Sequence, residues 1–271
     1  LDLVLVLIIA IVIVFIAMNI FRSVENNKMA KQKNFGQIAG EREVLKSSPS
    51  QELLTTLGLV NNQAAPLRDK LNAAWDEQYA AGVKKRLIEK NIISEDDYKW
   101  YELELKRFFL LSAVMKNVPM YNSKVDAIWH DMILFTKEYS VFCDVFNRGF
   151  IHHMPSVDRE KTEEKASHER AVFELFYTAI FSIHERTDSI HGGFFQNRLD
   201  KSFLTKLNEL TGDKLNDWLD DELFKFHHPD SLQLIQDIRE TLKKQAKKAA
   251  LSFKKYSAAN NKNTLTIPRS S

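Results

Sequence analysis

The feature that most limits what this chain can fold into lies at its amino-terminal end. From Leu3 to Met18 it reads LVLVLIIAIVIVFIAM, sixteen apolar residues without interruption, and Ile20 and Phe21 extend the run past Asn19. Nineteen residues at about 1.5 Å each span about 28 Å, close to the thickness of bilayer hydrocarbon. A cleaved leader fits less well, because no basic residue precedes the run and no small-x-small site follows it. The expectation is a single transmembrane helix over residues 1–21, with Leu3, Ile11, Phe15 and Phe21 among its anchoring residues. Arg22, Lys28, Lys31 and Lys33 follow against one acidic residue, Glu25, while Asp2 stands on the other side. The positive-inside bias then places the rest of the chain on the cytoplasmic side of a cell or inner membrane.

Beyond the run the composition is that of a helix-rich globular protein: of 271 residues, 8 are Gly and 6 Pro, and 27% are charged. Thirty-eight Lys plus Arg against 36 Asp plus Glu leave +2, too balanced for an overall nucleic-acid-binding surface. Cys143 is the only cysteine, which excludes an intramolecular disulfide and a multi-cysteine zinc site. Residues 22–65 read as a juxtamembrane segment and linker carrying one short amphipathic stretch, Gln51 to Leu57. Pro66 sits at a helix start before Leu67, Leu71, Trp75 and Tyr79, which recur every four residues. Ser94 with Asp97, and Ser123 with Asp126, form capping boxes for helices running to about Asn117 and Phe146. Further helices are expected at roughly 159–190, 199–210, 213–225 and 230–256, divided by Gly192-Gly193, Thr211-Gly212 and Pro229. No run alternates with period two. The fold class expected is therefore all-α, with an N-terminal transmembrane helix, a helical cytoplasmic domain over 66–256 and a disordered tail over 257–271.

The densest information lies between Tyr101 and Pro155. Val125, Ile128, Trp129, Met132, Thr136, Tyr139, Phe142, Cys143 and Phe146 share one broad helical face, which reads first as core. Periodicity leaves unexplained the series VD-x-x-WH, T-x-x-Y-x-x-FC and F-x-x-GF-x-HH-x-P. This series resembles the conserved block of the glycine-rich-domain-containing protein family, carried here by Val125, Asp126, Trp129, His130, Ile133, Leu134, Thr136, Tyr139, Cys143, His152, His153 and Pro155. The glycine-rich tail of that family is missing, and Met132 stands where the family has a second histidine. The resemblance implies a helical fold and marks a site, and it supplies no reaction.

His130, Cys143, His152 and His153 have the chemistry of a zinc set, with Asp126, one turn before His130, as the partner of that ring's other N–H. His130 and Cys143 are thirteen residues apart, about 220° around a helix, and do not converge on one straight helix. The alternative is structural: His130 bonds Asp126 or a carbonyl, Cys143 is a small buried residue, and the histidine pair ends the helix before Pro155. Zinc is possible on this reading and not favoured.

Other constellations are weaker. His184, Asp188 and His191 share a helical face at i, i+4 and i+7, beside the terminator Gly192. His227-His228-Pro229 repeats a few letters of His152-His153-Met154-Pro155. The last helix sets Leu234, Ile235, Ile238 and Leu242 against Lys243, Lys244, Lys247 and Lys248, a candidate membrane-surface face that reads first as packed on one side and solvated on the other. No nucleophile elbow, phosphate loop, dinucleotide fingerprint or H-E-x-x-H is present, and no catalytic residue is assigned. The leading expectation is a non-enzymatic, membrane-anchored adaptor or assembly subunit. It would bind a protein partner or larger membrane complex, and no nucleic acid, through Trp129, His130, Tyr139, His152 and His153. The alternative is a metal-binding protein or metal-dependent enzyme built on the WH and HH-x-P motifs.

Overall fold

Ser50 opens the fold by accepting a hydrogen bond from the Leu53 amide, 3.1 Å from its Oγ, which starts α1 (Gln51–Thr56). The computed structural model describes residues 48–153 and 162–244. In chain order there follow α2 (Ala65–Ala74), α3 (Glu77–Glu89), α4 (Glu95–Ser112), α5 (Ser123–Leu134), α6 (Thr136–Asn147), α7 (Glu163–Ile180), α8 (Glu185–Ile190), α9 (Lys201–Glu209), α10 (Gly212–Leu223) and α11 (232–244). Among the described residues there is no strand; two isolated antiparallel bridges, Leu59 with Phe181 and Met115 with Phe224, staple loops together. The domain is all-α. No helix among the described residues is long and apolar enough to cross a membrane. The apolar run of residues 3–21 and the tail over 257–271 lie outside the described residues, as do Lys247 and Lys248.

α4 forms the centre. Tyr98, Trp100, Leu103, Leu105 and Phe108 to Leu111 are buried around its whole circumference, with α2, α5 and α8 packed against it. Its start is the expected capping box: the Asp97 amide donates to Ser94 Oγ at 3.2 Å, and the hydroxyl donates to the Asp97 carboxylate at 2.8 Å.

The domain begins before the expected boundary at residue 66. Leu57 is completely buried, and its carbonyl accepts from Arg107 Nε at 2.9 Å. Gly58 adopts a left-handed φ of 62°, and a Cβ there would lie 2.7 Å from both Arg107 Nη2 and Ser182 Oγ. Residues 57–64 thus pack onto the helical domain, with Leu57 and Ala64 in its core, although α1 itself buries no residue.

Two long periodic runs are each divided. The run from Leu67 to Tyr79 breaks at Trp75, because Asp76 accepts from the Tyr79 amide at 2.7 Å and caps α3. The run from Ser123 to Phe146 breaks at Phe135. There the Met132 carbonyl accepts from the Phe135 amide at 3.1 Å and from the Tyr79 hydroxyl, 53 residues away in sequence, at 2.6 Å. The break turns α6 back along α2 and sets the path of the chain that returns to α5.

Candidate metal centre

α5 is capped by Asn122, one residue earlier than the Ser123–Asp126 box predicts. Asn122 Oδ1 accepts from the amides of Lys124 and Val125 at 2.9 and 3.1 Å. With the cap filled by another residue, the Asp126 carboxylate turns outward, one turn below His130 on the same face. Trp129, next to His130 and about 100° around the helix from it, turns inward and packs against Phe108 and Phe109 at ring distances of 5.1 and 5.5 Å.

The third member comes from beyond α6. Arg148 ends that helix in the left-handed region, and residues 150–153 run back over α5. Their course is fixed at Ile151: its carbonyl accepts from the Tyr139 hydroxyl at 2.6 Å, and its amide donates to Cys143 Sγ at 3.4 Å. Tyr139 also accepts from Trp129 Nε1 at 2.8 Å, which ties the strap to α5. His153 then stands edge-on to Trp129, with ring centres 4.5 Å apart, and beside His130 at 4.3 Å. Its Nε2 donates to Asp126 Oδ1 at 2.8 Å, and His130 Nδ1 is 3.6 Å from Asp126 Oδ2. One ligand atom from each of Asp126, His130 and His153 lies within 4.8 Å of the others. Ligands at about 2.0–2.1 Å around a tetrahedral ion are about 3.3 Å apart, so small side-chain rotations close this set on one ion. His130 is 57% exposed at its side chain and opens the site to solvent, while His153 is 14% exposed.

The other members of the expected set go elsewhere. Cys143 is fully buried, and burial pushes its thiol pKa up, which disfavours the thiolate a metal needs. Its sulfur is occupied by the Ile151 amide. His152 is exposed and lies against Phe150, ring centres 5.0 Å apart, outside the cluster. Asp126, expected only to orient His130, stands in the cluster itself. Met132 is about 200° around α5 from His130 and lines a cavity of about 10 Å³ with Trp75, Tyr79, Tyr98 and Phe142. A histidine at 132 would point into the core. The partner surface expected at Trp129 and Tyr139 is also not presented: both are buried and bonded to each other, which leaves His130 and His152 as its exposed members.

The remaining histidines hold the fold. His184 caps α8, accepting from the Arg186 amide at 3.1 Å, and stacks on Trp100. Asp188 accepts from the Phe194 amide at 3.2 Å, and His191 Nε2 donates to Glu104 at 2.9 Å, so the three do not converge. His227 and His228 donate to the carbonyls of Asn147 and Phe146 at 3.2 and 2.8 Å, closing the end of α6. His228 Nδ1 also accepts from the Asp230 amide, so both nitrogens are used by the neutral ring, and burial lowers its pKa. In α11, Leu234, Ile235, Ile238 and Leu242 are buried, Lys243 pairs with Glu240 at 2.7 Å, and Lys244 is solvated.

A buried polar network lies outside the motifs of the sequence. Arg107 Nη1 donates to Glu104 Oε1 at 3.1 Å and to the Tyr177 hydroxyl at 2.6 Å. Tyr177 donates to Glu104 Oε2 at 2.7 Å, and Thr187 to Oε1 at 3.0 Å. Burial alone would raise the Glu104 pKa, but the Arg107 charge and the hydrogen bonds of His191 and Tyr177 pull it down to about 2. The available signal was a Glu and an Arg three residues apart inside the apolar run of α4. The network braces α4 against α7 and α8 rather than forming an open site.

Residues 69–188 match the family described as UCP032817-like, a span from α2 into α8 that includes Asp126, His130 and His153. No curated protein and no solved structure matches the chain.

Proposed function

We propose that this protein binds one divalent transition-metal ion through Asp126, His130 and His153. The observation that carries the reading is the convergence of these three groups, two from one turn of α5 and one from a strap 27 residues away from Asp126. Two imidazoles and one carboxylate form a borderline donor set suited to zinc or ferrous iron. Three protein ligands leave a position for water, the arrangement of reactive rather than purely structural sites. Both rings must present a lone pair to the ion, so His153 Nε2 gives up its hydrogen bond to Asp126 on binding and the ring carries its proton on Nδ1. The apolar run from Leu3 to Met18 is proposed to hold this domain at the cytoplasmic face of a membrane. Kinship with the glycine-rich-domain-containing proteins is likewise proposed, on the same motif residues.

The test is zinc binding to the purified protein by equilibrium dialysis with elemental mass spectrometry. One equivalent is expected for the wild type, with at least tenfold weaker binding for His130→Ala and for His153→Ala. His152→Ala should bind as the wild type does. Absence of zinc, or binding indifferent to both histidine substitutions, overturns the assignment.

A second reading, the anchored adaptor, draws on a different surface. Leu134, Val141 and Val145 are exposed along the outer side of α6 and its start, opposite the buried Tyr139, Phe142 and Cys143. If that stripe seats a protein partner, Val141→Asp with Val145→Asp will abolish crosslinked complexes in membranes while leaving zinc binding intact.

A further inference from the structure

We infer that residues 150–153 form a metal-operated latch over Cys143, a regulation of the site that rests on the metal reading above. Asp126 and His130 sit one turn apart on a capped helix, and their separation is set by that helix. His153 is different: it rides on a strap without helix or strand structure. The strap is pinned to α6 through the two backbone groups of Ile151, one by the Tyr139 hydroxyl and one by the Cys143 sulfur, a weak acceptor. Phe150 lies over Tyr139 at 5.2 Å and remains 48% exposed, and His152 is also solvated. Ile151 is only partly buried against the core, and no residue of the strap is fully buried, so less apolar burial holds it down than holds the helices beneath it, and segments of that kind open locally at lower cost.

The thiol beneath is fully buried. A reagent reaches it when Ile151 lifts, and lifting Ile151 withdraws His153 from Asp126 and His130. An ion bound by all three favours the closed strap over the open one, where two ligands remain. By linkage, metal at a hundred times its dissociation constant lowers the open population by up to about a hundredfold. Tyr139 and Cys143 are positioning residues here: they set where His153 stands and touch no ion.

The experiment follows the rate at which N-ethylmaleimide labels Cys143 in the full, detergent-solubilised chain, with zinc sulfate or with a chelator, while bound zinc is measured on the same samples. Zinc should slow labelling at least tenfold in the wild type and leave it unchanged in His153→Ala. Tyr139→Phe should speed labelling of the metal-free protein and raise the zinc dissociation constant, with protection returning at saturating zinc. Metal-free labelling should be insensitive to urea below the unfolding transition. Zinc bound with labelling unchanged overturns the latch and leaves the metal site standing; no zinc bound overturns both. Protection that persists in His153→Ala assigns it to direct ligation by Cys143 and overturns the latch. Metal-free labelling that rises with urea as steeply as global unfolding overturns it as well.

Discussion

Glu104 shows how one side chain ties stability to pH. Its folded pKa of about 2 lies below the ordinary 4.5, because the Arg107 charge and the hydrogen bonds of His191 and Tyr177 hold a fully buried carboxylate ionised. A depressed acid contributes stability that is present in full above its unfolded pKa and is lost as pH falls through the folded one. Glu104→Gln should therefore cost about 3–5 kcal/mol at pH 7, since it leaves the Arg107 charge buried without its counterion. The gap to the wild type should narrow steadily as pH drops from about 4.5 toward 2. Urea midpoints of the two proteins at pH 7 and pH 3 check both the size and the direction. A gap that does not change with pH would mean that the carboxylate is not held ionised.

At the scale of the helix, what could be read from the sequence was what neighbouring residues decide. Ser94 and Asp97 form their capping box as spaced, because both partners lie within one turn. The Ser123–Asp126 box does not form, because Asn122 is an equally good cap one position earlier and also donates to the Ile190 carbonyl at 2.8 Å. That competition turned a predicted capping residue into a member of the candidate site. Asn122→Ala should lower stability by about 1–2 kcal/mol, read as a shifted urea midpoint with an unchanged slope. The break at Phe135 was not legible, because apolar periodicity continues across it and one cause is a hydroxyl from α3. The approach of His153 to Asp126 was equally hidden. His130, Asp126 and His153 were all visible as residues, but their meeting depends on that break and on the Tyr139 pin, both of which are tertiary.

For the molecule as a whole, the segment before α2 decides what counts as the domain. The sequence assigns residues 48–65 to a linker, since Ser48-Pro49-Ser50 and Asn61-Asn62-Gln63 flank one short amphipathic stretch, and its fully buried residues are few. Those few are placed where they matter. Leu57 is buried beneath α4, its carbonyl satisfies Arg107, and two backbone hydrogen bonds, Val60 to Ile180 at 2.9 Å and Ser182 to Gly58 at 2.8 Å, sew the segment to the end of α7. Asn61, in the loop before α2, donates to Asp237 in α11 at 2.7 Å, so the segment is also joined to the last described helix. Removing the segment gives up about 2 kcal/mol of leucine burial. It also removes the carbonyl that accepts from Arg107 Nε, a charge-assisted hydrogen bond worth about 1.5–3 kcal/mol, while Glu104 stays as the counterion. Against a total stability on the order of 5–15 kcal/mol, that is a large share of the margin that keeps the domain folded. A chain beginning at residue 48 should give a sigmoidal urea transition followed by circular dichroism, and one beginning at residue 66 should give none or a midpoint shifted far toward zero. Equal midpoints would return residues 48–65 to the role of a linker and require Arg107 to find its counterparts within α4, α7 and α8 alone.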